Sequence, residues 1–173
     1  MIPNIITIDG IRYKRMKEDD TPQAPVNSLA TQHDFNDGNG LVPAHQHVNP
    51  DGSIGGWVAD TARVAATAYV GPNAVVFDNA RVSEYAEVFG SAQVYGSALV
   101  SGSAQVYGHA LVFEDAQVFE SAKVSESAQV YGNAQVYGSA QVSGSALVSG
   151  YTRVYGYAKV YESARVYGDE VRK

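Results

Sequence analysis

The sequence predicts an all-β solenoid of about six three-sided coils, and three observations predict it. An Ala-x-Val triplet returns every six residues from Ala62/Val64 to Ala164/Val166, eighteen times without an insertion or deletion. Val fills its place in every one, and Ala in all but one, where Thr152 stands. The two residues flanking Val vary freely (Gln93 and Tyr95, Lys123 and Ser125), and the last two of each hexad are turn-formers. A fixed period this strict marks a stack of identical structural units.

The spacing explains the units. Residues two apart on a strand point to one face, so Ala and Val look inward while their neighbours look outward. The remaining two residues turn a corner, and Gly takes the first corner place in ten of the eighteen hexads, where a positive φ suits it. An amphipathic helix is excluded, because its stripe needs spacings of three and four. Three hexads per coil make six coils, roughly 25–30 Å tall at the strand spacing of a sheet. The core is a narrow column of Ala and Val.

In chain order, residues 1–16 read as a β-hairpin: Ile5-Ile6-Thr7-Ile8 and Ile11-Arg12-Tyr13-Lys14 flank an Asp9-Gly10 turn. A lone hairpin is marginal in water, so it needs a surface to dock on. Residues 17–55 are polar and carry Pro22, Pro25, Pro43 and Pro50; they read as an extended arm or loop with a turn at residues 49–53. Residues 56–168 are the repeat block. Trp57-Val58 reads as a plug over its open N-terminal end. In residues 169–173 the rule breaks: Glu170 stands where Ala is due and Arg172 where Val is due, and such charges oppose end-to-end stacking.

Here the chain resembles the hexapeptide-repeat superfamily, whose members fold as left-handed parallel β-helices. The Ala and Val places carry the likeness. It is closest to bacterial and phage proteins rich in A-x-V-Y-G runs after a G-G-W-V segment, found here as Gly55-Gly56-Trp57-Val58. The resemblance implies the left-handed twist, a homotrimer about an axis parallel to the prism, and a phage-encoded origin. Superfamily glycine commonly follows the aliphatic residue directly, whereas here Tyr, Phe or Ser intervenes.

Every eighteenth residue gives the outward columns of three walls. The third is the most apolar: Phe77, Tyr95, Leu111, Phe113, Tyr131, Leu147 and Tyr167 lie on it. Such a patch marks an interface or a partner-binding face. Eleven of the twelve tyrosines lie in the repeat block, where stacked rings reinforce one another or present binding area. The expected function is a non-catalytic oligomeric scaffold or binding protein, offering its walls or inter-subunit seams to a protein or small, even nucleotide-like, ligand.

The alternative the resemblance implies is an acyltransferase. Superfamily enzymes use a histidine general base at the subunit seam with acetyl-CoA or another acyl-CoA, and the only histidine in the repeats is His109, at a corner bordering the third wall. No loop interrupts the coils to wall an acceptor site. No cofactor is expected for the scaffold. His45-Gln46-His47 puts two histidines on one face of an extended strand and His33 is a candidate third ligand, yet these precede the repeats, and no metal is expected.

With net charge −6 and pI near 5.1, a nucleic-acid polymer is not an expected partner. The absence of Cys removes disulfide and thiolate chemistry, and no stretch reads as a signal peptide or bilayer span, so a cytoplasmic location is expected.

Overall fold

In the computed structural model, residues 5–8, 11–14, 31–168 and 170–172 are described. The chain divides into two compact units, residues 1–31 and 32–173. In the first, strands β1 (Ile5–Ile8) and β2 (Ile11–Lys14) pair antiparallel with Ile5 opposite Lys14 and Ile8 opposite Ile11. Residues 17–30 of the expected arm lie outside the described residues.

The second unit is a parallel β-solenoid. Its repeat strands span two or three residues each, from Arg63–Val64 to Arg165–Tyr167, and each pairs in parallel with the strand eighteen residues away, as Val94 does with Val76 and Val112. Three sheets result, one per wall. Inward Ala and Val from Ala68 to Val148 are buried, most of them completely. The six-residue alternation therefore does lie inside a three-walled column. The single departure is accommodated: buried Thr152 donates its hydroxyl to the Ser149 carbonyl at 2.6 Å and accepts from Gly168 N–H at 2.9 Å.

Between walls the chain turns through a left-handed residue. From Asp78 onward the first corner place has φ near +57° to +75° whether it holds Gly or one of the acids Asp78, Glu84, Glu114, Glu120, Glu126 and Glu162. A side chain there costs roughly 1 kcal/mol, which favours Gly. At Gly108 a β-carbon would also come within 2.8 Å of the Glu126 nitrogen in the next coil. Two acids return something: Asp78 accepts from Gly96 N–H at 3.1 Å and Glu114 from Gly132 N–H at 2.9 Å, each clamping the following coil.

Two stretches differ from the sequence reading. Part of the region read as loop is a meander: β3 (Gln32–Asp34), β4 (Leu41–Val48) and β5 (Ile54–Ala59) extend the third wall, with β3–β4 and β4–β5 antiparallel and β5 parallel to Val75–Val76. Val58 takes the inward valine place one hexad before the first Ala-x-Val triplet, within the block read as repeat. Gly56 fills the alanine place because a β-carbon would sit 1.9 Å from the Ala74 carbonyl oxygen; at Gly55 it would meet the Val70 oxygen at 2.3 Å. Trp57 is therefore not an end plug but an outward, half-buried residue stacked on His33, ring centroids 4.7 Å apart.

The end is sealed elsewhere. Buried Asn49 serves the edge of the second wall as a strand would: its Oδ1 accepts from Val70 N–H at 2.8 Å and its Nδ2 donates to the Val70 carbonyl at 3.2 Å. Buried His47 donates from Nε2 to the Ala68 carbonyl at 3.0 Å.

At the far end one residue is dropped. The strand Glu170–Arg172 pairs with Arg153–Tyr155 seventeen residues back, so Val171, not Arg172, lies beside Val154 and packs on the core. Beyond Lys159–Val160, Arg165–Tyr167 and this strand no further strand follows among the described residues. Ala164 is exposed there, Val166 and Val171 half-buried, around an open hollow of about 470 Å³. No helix in the described residues is long and apolar enough to cross a membrane.

Candidate functional site

The third wall runs unbroken from β3 to Arg165–Tyr167, nine strands in all. Because its register is a strict eighteen, the residue after each Val stacks on its counterpart one coil away. Phe35, Phe77, Tyr95, Phe113 and Tyr131 form one ladder of nearly parallel rings with centroids 4.8–5.0 Å apart. Shorter ladders, Phe89–Tyr107 and Phe119–Tyr137–Tyr155, run on the second and first walls. Stacking of this kind adds roughly 0.5–1.5 kcal/mol per pair beyond burial.

The seven wall residues singled out from sequence are not equivalent. Phe77 is buried beneath Phe35 and offers no surface of its own. Tyr95, Leu111, Phe113, Tyr131 and Leu147 are half-buried and form a continuous strip. The ladder stops at buried Ser149; Tyr167 is exposed, its ring lying over Gly150, close enough to meet a β-carbon there at 3.0 Å. Burial, then the carboxylates of Glu114 and Asp78, raise the Tyr95 phenol above its ordinary 10.0. The strip offers flat apolar area with phenol edges, suited to packing rather than proton transfer.

His109 sits exposed on the corner between Tyr107 and Leu111. Its backbone N–H donates to the Glu126 carbonyl at 2.6 Å, but among the described residues nothing hydrogen-bonds or pairs with its ring. Neither Glu126 nor Asp115 orients it. A general base needs such an orienter and a cleft, and this corner supplies neither within one chain.

The other histidines take three separate tasks. His33 stacks on Trp57, His47 caps the Ala68 carbonyl, and His45 donates from Nδ1 to Asp60 at 2.9 Å in an exposed pair. Among the described residues no three His, Cys, Asp or Glu converge on a metal position.

Sequence reading passed over an open groove of about 690 Å³ where the third wall turns into the first. Asp115, Asn133 and Tyr151 from the corner face Gln117, Gln135 and Arg153 from the first wall. The signal was available in the second corner place, whose column runs Asn79, Ser97, Asp115, Asn133, Tyr151.

Among known families, residues 104–120 and 128–144 match the family model described as YdcK beta solenoid repeat. No curated protein and no solved structure matches the chain significantly. The matched stretches lie in the middle coils, where strand pairing at eighteen residues and the Ala/Val core are most regular. Repeat, strand pairing and family match agree: this chain is a β-solenoid repeat protein.

Proposed function

We propose that the protein is a non-catalytic, homotrimeric scaffold of the hexapeptide-repeat kind, cytoplasmic and related to bacterial and phage A-x-V-Y-G proteins, whose third wall is its self-association face. The observation carrying this reading is the strip of Tyr95, Leu111, Phe113, Tyr131 and Leu147 on one wall, each left part-exposed. Flat aromatic area held rigid by its own stacking loses little side-chain entropy on association. Seams between the three copies then present corners and tyrosines to a protein or small ligand. The isolated ring of His109 supports a frame over an acyl-transfer site.

Light scattering in solution tests it. The expected mass is three times the 18.4 kDa of one chain, falling when Phe113→Lys places a charge in the strip. A single-chain mass, or a trimer unaffected by that substitution, overturns the reading of the third wall. Acetyl-CoA is expected to leave the melting temperature unchanged; a rise abolished by His109→Ala would replace the scaffold with the acyltransferase.

A further inference from the structure

The groove at the corner between the third and first walls lies outside the strip just described, and its chemistry is different. Asp115, Asn133 and Tyr151 stand one above another at the corner, and Gln117, Gln135 and Arg153 stand beside them in the same three coils. Gln117 and Gln135 are half-buried and the rest of this lining is exposed, Tyr151 at 80%. Every ladder ring described above has a stacked neighbour; Tyr151 has none among the described residues. The side chains of Asp115 and Asn133 likewise make no hydrogen bond among the described residues. The two glutamines share a weak one at 3.5 Å, and Arg153 pairs with Glu170 at 3.6 Å, both ends exposed.

From this arrangement we infer that the groove binds a carbohydrate chain. Asn and Gln each offer a donor and an acceptor in one plane, and Asp offers two acceptors, which suits neighbouring hydroxyl groups. Tyr151 adds a flat apolar face for the C–H side of a sugar ring, with a phenol at its rim. Asp115 and Glu170 against Arg153 leave the groove slightly negative, which disfavours phosphates and nucleotides. With a single aromatic and no aliphatic lining, it has little to hold a lipid or an apolar peptide side chain. Within the groove the pairs Asp115–Gln117, Asn133–Gln135 and Tyr151–Arg153 follow one another at about 4.8 Å, so a ligand of repeating units meets a polar partner at each step.

Isothermal titration calorimetry on the full chain tests this with three soluble probes: hexamers of α-1,4-glucose, β-1,4-glucose and β-1,4-N-acetylglucosamine. At least one is expected to bind, with its monosaccharide weaker by about ten-fold or more. Tyr151→Ala and Asn133→Ala, both at exposed positions, are each expected to weaken binding by about ten-fold while leaving circular dichroism unchanged. No heat with any hexamer up to millimolar concentration overturns the inference, as does binding unaltered in Tyr151→Ala or equal for monomer and hexamer. The oligomeric state is a separate readout, so failure here leaves the third-wall reading standing, and the converse holds.

Discussion

Asn49 shows how much one side chain can hold. Its carboxamide stands in for a missing strand, bonding both the N–H and the carbonyl of Val70 and reaching Ser53 Oγ at 3.1 Å. Asn49→Ala strands a buried donor and acceptor at the sheet edge, and the expected cost is about 2 kcal/mol, read as a lower urea midpoint with unchanged slope. At this scale the sequence is only partly legible. Asn49 lies in an Asn-Pro-Asp-Gly-Ser run that announces a turn, but nothing local says that its amide faces a carbonyl twenty-one residues on. His47 was visible as one of two histidines sharing a strand face, a pattern that suggests a metal; its actual partner is backbone, and only the fold reveals that.

Among elements, the aromatic ladder makes a statement about pH. Tyr95 is held neutral by burial first and by the Glu114 and Asp78 carboxylates second, so its folded value lies above the unfolded 10.0. The contribution to stability is complete below pH 10, and is lost as pH rises through the folded value, because the native state keeps the proton longer. Spectrophotometric titration at tyrosinate wavelengths is expected to lose a late-titrating phenol in Tyr95→Phe, with the melting temperature of the variant falling less steeply above pH 10. The ladder itself was readable, since an eighteen-residue register stacks column upon column. The meander of β3 to β5 was not. Gln32–Asp34 is three residues long, and Leu41–Val48 contains Pro43, alternates weakly and turns its polar His47 onto the backbone it caps. The Asn36-Asp37-Gly38-Asn39-Gly40 run between them was a usable turn signal, with Asn36 and Gly38 at positive φ.

For the whole molecule, each coil touches only the coils above and below, so coil number is separable from the fold. Removing residues 98–115 joins Ser97 to Ala116 in the same phase of the repeat. The expected product keeps its β-sheet circular dichroism and melts cooperatively at a lower temperature; an unfolded product would show that the middle coils are not interchangeable. Removing one residue fewer shifts every later Ala and Val to the wet face and is expected to abolish folding. Among the described residues the chain tolerates such a slip once, before Glu170–Arg172.

The two tips of the column are finished differently. One is stopped at two of its walls by the meander and by the amide of Asn49 and the imidazole of His47; the other leaves Val166 and Val171 half bare beneath three strand rims that are unpaired among the described residues. Along the second wall, a strand arriving from another molecule would find the rim occupied by the Asn49 side chain at one tip and, among the described residues, free at the other.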